Sequence, residues 1–243
     1  MYVLLDYDNL RADQARMGVR AVIELITDRI CSVLPAIPEQ IEFRLYHGWY
    51  EEATPTRQAQ KIIPVLQAEF PTRFCPFGAT PDASGRLPYV RLLADLAVAL
   101  LVEPHRHLLY TVRPQQTRFS VYAPSSERFG ERRCVRADCC LRGIKKLFKN
   151  TACPECDLTV GDLFPGRRQQ KLVDTMLTAD LLHLSTTSED PVALVSSDDD
   201  MMPPILQALY NGVTVVHVHT RPGRRTPSYY LPSLAMSYIE TSL

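Results

Sequence analysis

Residues 192–202 read VALVSSDDDMM, and the fold turns on how they are read. Four apolar residues in a row describe a strand buried on both faces, as in a parallel sheet. The two serines and three aspartates that follow describe an acidic loop at its carboxyl end. Open α/β sheets bind ligands just beyond the carboxyl ends of their strands. Carboxylates gathered there repel one another, and a hard divalent cation with a preference for oxygen donors removes that cost. The competing reading is a solvated acidic turn that caps a helix beginning near Pro203 and Pro204.

Outward from this stretch, the same pattern recurs. After a helix over Ile205–Leu209, stopped by Asn211-Gly212, the run Val213–Val218 predicts another buried strand. At its end stands the basic loop Arg221-Pro-Gly-Arg-Arg225. The tail Tyr229–Leu243 closes in a short helix or strand. At the other end of the chain, Tyr2–Leu5 is an apolar run that finishes in Asp6-Tyr7-Asp8-Asn9, as the first strand of an α/β unit does. Val19, Val22, Ile23, Ile26, Ile30 and Val33 recur at helical spacing up to Pro35, with Cys31 beside the buried face. Ile41–Leu45 alternates as a strand and runs on through Tyr46, His47 and Gly48 to Trp49 and Tyr50. There His47 either touches substrate or packs the strand end, and Trp49 or Tyr50 either stacks on a base or packs. Thr56–Phe70 predicts a helix kinked by Pro64, and Pro71–Pro88 predicts a loop. Tyr89–Val102 is a buried helix or a long strand pairing with Leu108–Val112. Gln169–Leu184 predicts a helix with Lys171 and Asp174 on one face, where a plain ion pair is the simplest role for them.

Composition narrows the class. The 243 residues carry 27 basic and 27 acidic side chains, so net charge says nothing about partners and only its distribution can. No leader-like or membrane-spanning stretch is visible, so the expectation is a soluble, cytoplasmic protein with no membrane partner. Seven cysteines, mostly clustered, fit metal binding better than a disulfide framework.

The cluster lies in a segment of different character, roughly residues 103–165, read as a basic, Cys-rich subdomain inserted into one domain of 1–243. Between Arg128 and Lys149 eight basic residues, among them Arg132, Arg133, Lys145 and Lys146, face only two acids, a balance suited to a phosphate backbone or to a solvated face with no partner. Cys153-Pro-Glu-Cys156 is a C-x₂-C knuckle, and Cys134 with Cys139 or Cys140 offers the other half of a closed zinc site. A redox pair or packed cysteines are the alternatives. Structural Zn²⁺ suits a segment so poor in large apolar residues.

Three motifs in order carry a resemblance. Leu4-Leu5-Asp6-Tyr7-Asp8-Asn9-Leu10, Lys171-Leu172-Val173-Asp174 with Asp180, and Ser196-Ser197-Asp198-Asp199-Asp200-Met201 together resemble the NYN domain family of PIN-like nucleases. The match spans most of residues 1–70 and 165–243. Tyr7 and Ser197 stand where the family has glycine, and Met201 where it has phenylalanine. The resemblance implies a three-layer α/β fold with a mostly parallel sheet and a zinc-ribbon-like insertion outside the family pattern. It implies a metal-dependent ribonuclease in which Asp6, Asp174, Asp198 and Asp200 hold Mg²⁺ or Mn²⁺ and a 5′-phosphate is left after hydrolysis. Asn9 would orient Asp6 or a phosphate oxygen, and Lys171 would contact the scissile phosphate. Asp8, Asp180 and Asp199 come second, with Asp199 pointing away. RNA, or single-stranded DNA, would lie on Arg132, Arg133, Lys145, Lys146, Arg221 and Arg224. A homodimer or a protein partner stays open. The alternatives are a silent nucleic-acid-binding scaffold, or a Mg²⁺-dependent phosphatase using the Asp6-x-Asp8 spacing.

Overall fold

The computed structural model describes residues 1–81, 85–109, 111–114, 168–170, 172–227, 229–230 and 237–243. The chain forms two compact units, Met1–Val112 with Gln170–Leu243, and Arg113–Gln169. The second begins about ten residues later than the 103 expected for an insertion. Nearly all of it, with Cys134, Cys139, Cys153, Cys156, Arg132, Arg133, Lys145 and Lys146, lies outside the described residues.

The first unit is α/β, built on a seven-stranded sheet. Its strands are β1 (Tyr2–Asp6), β2 (Gln40–Tyr46), β5 (Thr72–Phe74), β6 (Val90–Leu96), β9 (Val192–Val195), β10 (Val215–His219) and β11 (Tyr238–Ser242). Their order is β11-β10-β9-β1-β2-β6-β5, and every pairing is parallel except β5 with β6. Further short strands are β3 (Tyr50–Glu51), β4 (Thr54–Pro55), β7 (Val112–Pro114) and β8 (Arg168–Gln170), with β3 and β4 paired antiparallel. The helices are α1 (Ala12–Arg16), α2 (Val19–Val33), α3 (Arg57–Glu69), α4 (Val173–Thr187) and α5 (Met202–Tyr210).

Strand alternation sorts the core into layers. Val3 and Leu5 of β1 join Ile23, Ile26 and Ile30 of α2 and Ile62 and Leu66 of α3. Leu4 between them points the other way, into a cluster with Leu177 and Leu181 of α4 and Ile205 of α5. Helices thus cover both faces, which is why β9 can be VALV, wholly buried.

Several expectations are corrected. The 90–96 run is a strand, but it pairs with β2 and β5; among the described residues Leu108 meets Val98 through one hydrogen bond of 2.6 Å and no ladder. A short edge strand, β5, interrupts the expected 71–88 loop. Residues 168–170 are a strand, and the helix expected from Gln169 begins at Val173, after Leu172 in a left-handed conformation (φ 70°). Lys171 lies outside the described residues, and Asp174 belongs to the helix's first turn. At the end of the tail Tyr238–Ser242 form a strand, β11, one of the two forms expected there. Among the described residues, no helix is long and apolar enough to cross a membrane.

Candidate active site

The sheet order fixes where to look. From β1 the chain steps outward to β2 and β6, and later returns to the other side of β1 as β9, then β10 and β11. The β1/β9 boundary is therefore the topological switch point, where an α/β sheet leaves a crevice at the strands' carboxyl ends. Asp6 ends β1, and Ser196–Asp200 leaves β9 beside it.

Asp6 is 6% exposed. Its Oδ2 accepts a hydrogen bond from the Ser196 hydroxyl (2.9 Å), and the Asn9 backbone N–H also reaches the carboxylate. Burial, joined by the charges of Asp8 and Asp174, outweighs these donors and pushes its pKa from 3.8 up to about 6. Asp174 keeps much of its surface in solvent. Its pKa is also raised, by partial desolvation and then by Asp198, Asp8 and Asp200. The acids of three separate elements therefore feel one another's charge at one place.

The loop after β9 is held by hydroxyls. Ser196 Oγ accepts from Asp198 N–H (3.1 Å) while donating to Asp6. Ser197 Oγ accepts from the backbone N–H groups of Thr220 (2.9 Å) and Arg221 (3.2 Å), which ties the β9 loop to the β10 loop. Asn9 Oδ1 accepts from Ser197 N–H (2.8 Å) and the Thr220 hydroxyl (2.9 Å), so its side chain braces the loops and only its backbone reaches Asp6. Asp198 Oδ1 caps Asp200 N–H at 3.0 Å, at the start of a 3₁₀ turn over Asp199–Met201. Beneath the loop, His217 is buried and donates from Nε2 to the Ser196 carbonyl (3.1 Å), with Tyr238 Oη at its Nδ1 (2.8 Å). Burial, then His219, pushes its pKa down to about 4, so it stands neutral at pH 7.

The remaining expected residues separate. Asp199 does turn away, onto the Arg224 guanidinium at 2.5 Å. Arg224 is therefore engaged by a protein acid, although its Nε is buried without a partner among the described residues. Arg221 is exposed beside the site. Asp180 is 1% exposed and engaged elsewhere: it accepts from Tyr46 Oη (2.6 Å) and Leu101 N–H (2.7 Å) and pairs with Arg44 at 3.2 Å. Trp49 cannot stack on a base, since it is fully buried with Nε1 donating to the Leu45 carbonyl. His47 lies at the rim with Nδ1 against Asp8 Oδ1. Sequence reasoning missed Ser196, Ser197, Thr220 and the Asp8–His47 pair; the adjacent serines before the acids were the one visible signal.

The donor chemistry fits a hard cation, being all oxygen and mutually repelling, with Asp6 desolvated. Among the described residues, no three His, Cys, Asp or Glu side chains already converge as a donor set. Comparisons with protein-family models, curated proteins and solved structures return no match to this chain.

Proposed function

We propose that this chain is a metal-dependent ribonuclease of the NYN branch of the PIN-like fold, hydrolysing phosphodiester bonds of single-stranded or structured RNA. One observation carries the reading: Asp6, Asp174 and the Asp198–Asp200 loop couple electrostatically at the switch-point crevice, with Asp6 and Asp174 shifted upward. Acids that pay to stand together in the absence of a cation are placed for one. Asp6, Asp174, Asp198 and Asp200 would hold one or two Mg²⁺ or Mn²⁺ ions. Such an ion, when bound, makes a water nucleophilic at neutral pH and offsets charge on the phosphoryl oxygens. Ser196 and the Asn9 N–H fix the Asp6 carboxylate, and the Ser197 hub keeps the acidic loop in register with β10. Arg221, with Arg132, Arg133, Lys145, Lys146 and Lys171, would contact the RNA backbone. Cys134, Cys139, Cys153 and Cys156 would hold structural Zn²⁺ in the inserted segment.

The two departures at glycine positions leave the reading standing, because each has a local use. Tyr7 is buried against Trp49 at 5.6 Å between centroids, and Ser197 supplies the hydroxyl hub. Neither displaces a carboxylate. The phosphatase alternative has less support, since Asp8, the acid it needs, faces His47. A scaffold that binds RNA without cutting is favoured by the lack of a ready-made donor set among the described residues.

The test is cleavage of labelled single-stranded RNA with Mg²⁺ or Mn²⁺, against EDTA and Asp198→Asn. Cutting should stop in EDTA and fall roughly a thousandfold in the variant, the rate equivalent of about 4 kcal/mol. Binding without cutting in either metal would establish the scaffold instead.

A further inference from the structure

Asp6 and Tyr46 are register partners on the adjacent parallel strands β1 and β2, so the residues that follow each leave the sheet at the same edge. After Asp6 the backbone curls into a 3₁₀ turn, Tyr7–Asn9. That turn carries Asp8 back over the strand ends, where its Oδ1 meets Nδ1 of His47. The imidazole is clamped as well as hydrogen-bonded. The Trp49 ring lies 4.8 Å and the Tyr7 ring 6.0 Å from it, centroid to centroid, both edge-on. Trp49 and Tyr7 are themselves buried, so the clamp is part of the core. His47 keeps 22% of its side chain exposed and Asp8 keeps 40%. Asp8 is close enough to Asp6 and Asp174 for its charge to act on both, so the pair stands at the rim of the acidic crevice.

A carboxylate only accepts hydrogen bonds, so the Nδ1 it faces carries the hydrogen. Nε2 is then the free nitrogen, and no hydrogen bond engages it among the described residues. This is the arrangement by which an acid fixes ring orientation and leaves the second nitrogen for proton transfer.

Resting on the nuclease reading, we propose that His47, oriented by Asp8, is a catalytic residue: the general acid that protonates the departing 3′-oxygen of the cleaved RNA strand. A water oxygen bonds to phosphorus, and its surplus proton passes to solvent. The P–O3′ bond breaks, its electron pair stays on O3′, and a proton held on His47 Nε2 moves to that oxygen. His47 regains a proton from bulk water, to which its exposed edge is open. The ordinary alternative is a surface ion pair that only pins the Tyr7–Asn9 turn, and leaving-group dependence separates the two.

The experiment compares full-length wild type, His47→Ala, His47→Gln and Asp6→Asn on labelled single-stranded RNA and on bis(p-nitrophenyl) phosphate, all with Mn²⁺. A nitrophenolate leaves without needing a proton. The His47 variants should lose roughly a hundredfold or more on RNA, the usual worth of general acid catalysis, and change less than about threefold on the nitrophenyl ester. Asp6→Asn should lose both. Equal losses on both substrates in the His47 variants, or no loss on RNA, would overturn the dyad and leave the nuclease intact. Wild type that cuts neither substrate would overturn the nuclease and the dyad together. His47→Gln keeps a polar planar group in the aromatic clamp, so a melting curve matching wild type separates lost chemistry from lost folding.

Discussion

Two buried aspartates on opposite terms show how this molecule divides its stability from its chemistry. Asp180 on α4 is more enclosed than Asp6 on β1, at 1% against 6% exposed. Yet Asp180 is fully answered: a tyrosine hydroxyl, a backbone N–H and the Arg44 guanidinium all converge on it. Asp6 receives one hydroxyl and one backbone N–H, no cation among the described residues, and the repulsion of Asp8 and Asp174. The cost of removing a carboxylate from water is thus offset by partners in one place and left standing in the other. Tyr46 and Arg44 lie on β2, so the Asp180 network ties α4 to the sheet. Asp6 faces the crevice. A site that holds a cation needs charge that the protein itself has not neutralised.

The largest effect that would test this contrast is Asp180→Ala. It leaves the part-buried Arg44 guanidinium without its acid and the Leu101 N–H without its acceptor, and should cost about 3 kcal/mol, read from the shift in urea midpoint at constant slope. A cost under about 1 kcal/mol would mean the network is ornamental and the contrast empty.

Asp6→Asn should move stability the opposite way in metal-free protein. The folded pKa of Asp6 lies above its unfolded value, so its contribution is fully present below pH 3.8 and is lost as pH rises through about 6. The displacement corresponds to about 3 kcal/mol as a ceiling. The asparagine, which keeps an acceptor for Ser196, should therefore be more stable than wild type by roughly 1–3 kcal/mol at pH 8, in EDTA. At pH 4 the two should melt together. A destabilised variant at pH 8 would show that the Ser196 and Asn9 bonds outweigh the burial.

How much of this could be read in the chain depends on how local its cause is. The VALV run and its acidic loop form as expected because four consecutive apolar residues need cover on both faces, and only an interior parallel strand provides it. The placement of Asp6, Asp198 and Asp200 after strong strands was legible for the same reason, as was that of Asp174 on a helix, although the helix begins later than Gln169. The ambiguity over 89–102 had a different origin: an all-apolar run carries no period, and only its neighbours β2 and β5 decide. Asp180 and Asp174 look alike six residues apart in sequence. They differ only in what β2 presents to the helix, which no spacing reveals. Trp49 read equally well as a stacking platform or as packing until the core around it was complete. The serine hub at Ser197 and the Asp8–His47 pair depend on loops from separate strands meeting, so their polar residues read as ordinary turn chemistry in the sequence.

The smallest expected effect sharpens the comparison from within the site. Ser196→Ala removes the hydroxyl that donates to Asp6 and accepts from Asp198 N–H. The unpaired Asp198 N–H costs the same at every pH. The bond to Asp6 does not: to a carboxylate it is charge-assisted, and to a protonated acid it is an ordinary neutral bond about half as strong. The variant should therefore be destabilised by about 1 kcal/mol more at pH 8 than at pH 4 in metal-free protein. The same substitution placed on Asp6→Asn, which cannot ionise, should cost equally at both pH values. A pH-independent cost in the wild-type background would mean that Asp6 is already protonated when folded without metal. In that case burial and the neighbouring acids together would hold the site neutral until a cation arrives.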